Sequence, residues 1–159
     1  MSTPPPDSLD SPDSPEVAEH TPFPSGRPDI HQLLDVEVIE AGPTQVVLRI
    51  PVTWKVHQPY GILHGGVSAL LAESAASFGA SLAAGRDRKV VGIELSASHL
   101  RSVRDGHLTA TATPLRVGRT VQVWTITLID DEDRVICDAK CTLAVLGGPE
   151  GAKGAVASS

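Results

Sequence analysis

Residues 64–84 are almost entirely Ala, Leu, Val, Ser, Gly and Phe, and within them Glu73 is the only side chain of fixed charge. Val67, Leu70, Leu71, Ala75, Phe78 and Leu82 recur with a helical period, and small residues fill the remaining positions. The spacing predicts one long helix covered on nearly every side, so the rest of the chain must build a layer around it. A carboxylate in the middle of such a helix costs on the order of a few kcal/mol unless it is partnered or has chemical work to do. An arginine from another strand is the plain structural partner, and catalysis is the alternative.

The helix opens on His64-Gly65-Gly66. Helix N-termini carry unpaired N–H groups and about half a positive charge, and glycine lets a ligand approach that backbone closely. This is a place for a developing oxyanion. Gly65 and Glu73 lie eight residues apart, roughly 12 Å along the axis, too far to meet one carbonyl carbon from the same helix. Cooperation would require Glu73 to reach the glycines of a second, antiparallel copy, which predicts a two-fold dimer.

The flanking segments supply the layer. Residues 29–34 suit a short helix anchored by Ile30, Leu33 and Leu34. Residues 36–39 and 44–52 suit two hairpin strands around Gly42-Pro43, with Val46, Leu48 and Ile50 alternating against their neighbours. After a stop at Gly85, strands are expected over 90–99, 107–117, 120–130 and 135–146, with tight connections. One apolar helix beside a curved antiparallel sheet is an α+β architecture. Residues 1–25 hold most of the prolines and few apolar residues, and read as a disordered tail before a domain over 26–147. Residues 148–159 read as a flexible C-terminal tail.

Composition removes several classes of function. With 13 Lys+Arg against 19 Asp+Glu the formal charge is −6, the wrong sign for a nucleic-acid binder. The N-terminus lacks the basic and apolar segments of a signal peptide, and the long helix carries His, Glu and several Ser, so a cytoplasmic protein without a membrane role is expected. Cys137 and Cys141 stand about 13 Å apart on one strand face, as reduced buried thiols. The histidines show no ligand spacing, so no metal is expected, and neither G-x-S-x-G nor G-x-G-x-x-G occurs.

The run Gln58-Pro59-Tyr60-Gly61-Ile62-Leu63-His64-Gly65-Gly66, followed nine positions after His64 by Glu73, resembles the hotdog-fold acyl-CoA thioesterases. The likeness spans about 30–146 and is nearest the 4-hydroxybenzoyl-CoA thioesterases of the Arthrobacter type. Val90-Val91-Gly92-Ile93-Glu94, His99-Leu100-Arg101-Ser102 and Gln122-Val123-Trp124 are similar to segments of the 1,4-dihydroxy-2-naphthoyl-CoA and enterobactin proofreading thioesterases. The resemblance implies a sheet wrapped around the central helix, hydrolysis of an aryl- or acyl-CoA thioester, and a homodimer that pairs into a tetramer. Phenylacetyl-CoA thioesterases of the PaaI-like branch, which tend to place Asp where Glu73 stands, carrier-protein proofreading, and a silent acyl-CoA binding module are the alternatives.

Carried over by position, the resemblance implies that the Gly65 N–H polarises the thioester carbonyl while Glu73 acts as nucleophile or as the base for water. Gln58 and His64 would hold the thioester, and Ser77 would position the water or Glu73. Coenzyme A enters as part of the substrate, with no separate cofactor. Gly66 would contribute to binding the substrate. His99, Arg101, Ser102 and Arg104 are candidates for its phosphates, as arginine matches phosphate oxygens in a fork. Gly118, Arg119 and Thr120, at a hairpin tip, are further nucleotide candidates. The plain alternatives are a capping His64, a turn-capping Gln58 and a solvated basic sheet edge.

Overall fold

The protein's structure, a computed structural model, describes residues 29–147. The readings of 1–25 and 148–159 as tails lie outside the described residues. Asp29 caps the first helix, α1 (Ile30–Leu33), its carboxylate accepting from the His31 and Gln32 N–H groups at 2.9 and 3.2 Å. The expected anchoring is only partly realised. Leu34 packs on the core, but Leu33 is 64% exposed and Ile30 also faces out. His31 takes the inward position, because residues 31 and 34 share a face one turn apart.

Strands β1 (Glu37–Ala41) and β2 (Val46–Pro51) form the expected hairpin, and Val46, Leu48 and Ile50 are fully buried. The central helix α2 (Gly65–Ala84) ends at Gly85, whose φ of 88° is a conformation that favours glycine. Then follow β3 (Lys89–His99), β4 (His107–Val117), β5 (Val121–Ile129) and β6 (Val135–Leu146). All six strands form one antiparallel sheet in the order β1-β2-β4-β5-β6-β3. Strands β4, β5 and β6 are the expected meander. The link 101–106 is not a hairpin turn but a crossing, because α2 fills the space between β2 and β3 and delivers the chain to the far edge of the sheet. Bulges at Val38/Glu40, Gly92/Glu94, Pro114/Arg116 and Leu128/Ile129 add twist and curvature.

The curved sheet wraps α2, which touches β2 through β6. Ala72, Ala75, Ala76 and Ala80 are fully buried, and their small side chains let the helix lie close to the sheet, in one core with Leu48, Leu108 and Leu128. At Gly79 the approach is tightest: a Cβ there would stand 2.5 Å from the Trp124 ring. The buried indole N–H donates to Gln122 Oε1 at 3.0 Å, and Gln122 Nε2 donates to the Ala80 carbonyl at 3.1 Å. A deeply buried polar chain is thereby satisfied and ties β5 to the helix.

The helix is not covered on nearly every side. Gly66, Glu73 and Ser81 are exposed, and Leu70, Ser74 and Ser77 are half-buried. Six strands enclose one side of a cylinder, and the rest of α2 faces out of the chain. By length and composition α2 could cross a membrane, but half of it is buried inside the fold.

Gly79→Val forces two methyl groups into space occupied by Trp124. It is expected to lower stability by about 2 kcal/mol or more in urea unfolding, with a red shift of the buried Trp124 fluorescence.

Candidate active site

The loop before α2 is braced into a fixed shape. A single 3-10 turn over Trp54–Val56 leads to paired backbone at His57 and Leu63, and Gln58 to Ile62 form the turn between them. Within it the Gly61 N–H donates to the Gln58 carbonyl at 2.9 Å and the Gln58 N–H to Ile62 at 2.8 Å. Gly61 has φ 67°, the left-handed conformation that the turn requires. The loop is tied to the 101–106 link in three places. Leu63 N–H donates to the Val103 carbonyl at 2.8 Å, His57 Nε2 to that of Arg104 at 2.7 Å, and Arg104 Nη1 to that of Gly61 at 3.3 Å.

This bracing brings Gln58 beside the start of α2. His64 caps the helix, its Nδ1 accepting from the Gly66 N–H at 2.9 Å. Because the partner is an amide donor, the neutral ring must carry its proton on Nε2. The His99 ring lies directly on Gly65, where a Cβ would stand 2.9 Å from Nε2. Gln58, Gly65, Ser68, His99, Arg101 and Ser102 line a common cleft of about 360 Å³. Arg101 donates one N–H to the Val135 carbonyl at 2.7 Å, and the guanidinium has further donors for a ligand.

Glu73 is elsewhere. It stands exposed on the outward face of α2, in a second cleft of about 500 Å³ with Gly66, Leu70, Ser77 and Leu95. The expectation of a buried carboxylate is therefore corrected, and among the described residues no ion pair engages it. Its carboxylate rests against Gly92 of β3, where a Cβ would collide with Glu73 Oε1. Ser77 follows one turn later in the same cleft, as the spacing implies. One chain thus carries Gly65 and Glu73 in two separate clefts, while Gly66 borders the second.

Other candidates lie apart from both clefts. Arg104 sits in a groove with Asp105, Asp130, Asp131 and Glu132, where its surroundings are acidic. Gly118, Arg119 and Thr120 form the β4–β5 tip, where Arg88 Nη1 donates to the Arg119 carbonyl at 2.7 Å. That tip lies near the C-terminal end of α2, about 30 Å along the helix from Gly65. The sequence reasoning missed His31 and Ser74, which line the Glu73 cleft and share a hydrogen bond of 2.9 Å. The capping Asp29 and the one-turn spacing of residues 31 and 34 were the available signs that His31 turns inward.

The two cysteine thiols are poorly suited to attack. Burial, followed by the charges of Glu73 and Glu94, pushes the Cys141 thiol up to about 12, so it stays protonated and inert. Cys137 is buried and likewise raised by burial, with Asp138 adding to the shift. Among the described residues no group of three or more His, Cys, Asp or Glu could hold a metal ion.

The thioesterase superfamily profile matches residues 60–137, from the loop before α2 into β6. The 1,4-dihydroxy-2-naphthoyl-CoA hydrolase of Listeria monocytogenes is 41% identical over 116 residues, covering 73% of this chain and 94% of that protein. The chain belongs to the thioesterase superfamily. A proofreading thioesterase of Cronobacter turicensis is 39% identical over 114 residues, 72% of this chain and 83% of its own length. The solved structure of a thioesterase from Haemophilus influenzae matches with a TM-score of 0.72 at 39% identity, covering 76% of this chain and 84% of that one. The fold is the hotdog fold of this family, and the chain is an enzyme that hydrolyses thioesters.

The contact between Glu73 and Gly92 is open to test. Gly92→Ala displaces only a flexible, exposed carboxylate, so thermal unfolding should be nearly unchanged. A Glu73 that takes part in the reaction would make thioesterase kcat fall about tenfold or more, since small misplacements of a reacting group are costly, and an unchanged kcat would show that it does not.

Proposed function

We propose that the protein hydrolyses an aryl-CoA thioester, of the 1,4-dihydroxy-2-naphthoyl or hydroxybenzoyl type, in a site shared by two chains. The observation that carries this reading is the division of the helix-start donor and the carboxylate between two clefts of one chain. Neither cleft alone holds both the groups that hydrolysis needs. The pairing surface is supplied by β3, an edge strand with a single neighbour among the described residues, on which Val91 and Ile93 are 44% and 59% exposed. A long unprotected edge of this kind is a template for pairing with a second copy. Val91 and Val121 both flank Ala144, an apolar row that a second dimer would cover in a tetramer.

In the composite site the Gly65 N–H donates to the thioester carbonyl oxygen, and the His64 Nε2–H and the Gln58 amide hold the same end. Donors of this kind gain strength as the oxygen becomes an anion, and losing one costs about 3 kcal/mol. Glu73 of the partner subunit attacks the carbonyl carbon, or removes a proton from the water that does, with Ser77 of the partner subunit beside it. Where Glu73 acts as base, the tetrahedral intermediate collapses with cleavage of the C–S bond to the free acid and the CoA thiolate, which takes up the proton. Where Glu73 attacks, the same cleavage expels CoA and leaves the acyl group on the carboxylate as a mixed anhydride. On the nucleophilic route, water then cleaves the mixed anhydride.

His99, Arg101 and Ser102 line the Gln58–Gly65 cleft and are the groups assigned to coenzyme A. Arg104 is assigned to bracing the Gly61 turn. The β4–β5 tip, with Arg119 and Thr120, meets the nucleotide only if a neighbouring chain brings it there. No metal or prosthetic group takes part.

Glu73→Ala is expected to lower kcat at least about a hundredfold with substrate affinity nearly unchanged in a thiol-release assay, and unaltered turnover would refute the assignment. Co-assembly of Glu73→Ala with Gly65→Val chains, each inactive alone, should restore about half the wild-type activity per dimer, because one of two shared sites is whole. Absence of recovery in verified heterodimers, or full activity from a monomer in sedimentation, overturns the two-chain site. Arg101→Ala should mainly raise KM, while a pure kcat loss would remove it from the phosphate-binding group.

A further inference from the structure

The Glu73 cleft has a second polar feature on its α1 side. Ile30, Ala69, Leu70 and Leu95 make most of its wall apolar, and into that wall are set His31 and Ser74, with Nε2 and Oγ 2.9 Å apart. The His31 side chain is only 16% exposed. Burial lowers its pKa, with the Asp29 carboxylate opposing the shift, so the ring meets a ligand in its neutral form at neutral pH. The position is fixed from both ends of α1. Asp29 caps its first turn, and Lys55 Nζ holds Asp35, just past its last, at 3.2 Å.

We propose that His31 and Ser74 form the polar end of the acyl pocket and select acyl groups that carry a hydroxyl. The inference rests on the proposed function, which places the thioester carbonyl at Glu73 and so sends the acyl group along the remainder of this cleft. A serine hydroxyl offers one donor and two acceptor sites, and the bond to His31 uses one of the three. An unsubstituted ring would cover the pair and shut out water without replacing its hydrogen bonds. A ring hydroxyl would join the pair as donor or acceptor. A neutral imidazole beside a serine suits a neutral hydroxyl and gives no counter-charge to a carboxylate.

The test compares kcat/KM for benzoyl-CoA with that for 2-, 3- and 4-hydroxybenzoyl-CoA. Wild-type enzyme should prefer at least one hydroxylated ester over benzoyl-CoA by about tenfold or more, the scale of one well-made hydrogen bond. His31→Leu and Ser74→Ala should bring that ratio close to one while leaving benzoyl-CoA hydrolysis within about threefold of wild type. His31→Gln, which keeps an amide near the position of Nε2, should retain most of the preference. Should His31→Leu fail to fold, Ser74→Ala on the half-buried helix face carries the same comparison. Equal loss on all four esters, or a wild-type enzyme indifferent to the hydroxyl, overturns this inference and leaves the proposed function standing. A wild-type enzyme inert toward every CoA thioester, these four included, removes both.

Discussion

The seating of α2 in the concave sheet determines where every site group stands. A helix can lie this close to a sheet only where its side chains are small, and here Ala72, Ala75, Ala76 and Ala80 meet the inner face while Gly79 gives its space to the Trp124 ring. Gln122 then fixes the ring and the helix to one another through two hydrogen bonds in the dry interior. These contacts set the depth and the rotation of the helix. Rotation decides that Leu71 and Phe78 point inward while Glu73 points out, and depth decides that Gly65 opens beside the His99 ring. The geometry of the candidate site is therefore a by-product of packing several turns away from it.

The same helix shows why a two-chain site is a natural solution. Its start offers amide donors and its middle offers a carboxylate, but rise per residue keeps them apart and the two face different clefts. No movement within a rigid helix can bring them together. In the proposed dimer a second helix running the opposite way would supply the missing half to each without any change of shape in either chain. The braces from His57 and Arg104 serve this arrangement at the other end, holding the Gln58 turn in place before a substrate arrives.

Much of the fold was legible because its signals are periodic. Alternation in residues 46–50 predicted the buried face of β2, and the apolar spacing from Val67 to Leu82 predicted α2 nearly to its ends. The His64-Gly65-Gly66 start and the Glu73–Ser77 spacing were legible for the same reason, being local to one helix. What the residues did not reveal is non-local. Composition could not tell a helix face covered by its own sheet from one left open, since Ala and Ser suit either, and so Glu73 was expected to be buried. Arg101 and Arg104 look equivalent in sequence, yet three residues along the crossing link take one into the cleft and the other among carboxylates. His31 carried only a weak sign, because burying it depends on meeting Ser74, forty-three positions away.

The placement of β3 has a consequence for how the enzyme comes into being on the ribosome. Among the described residues its sole strand partner is β6, the last of them in chain order, so β3 must wait through the synthesis of three further strands before it can dock. Glu73 leans on Gly92 of that strand. The Glu73 wall of the proposed site is thus completed only when β6 emerges, and a chain cut short within β6 would lose that geometry although none of the residues assigned to chemistry lies there.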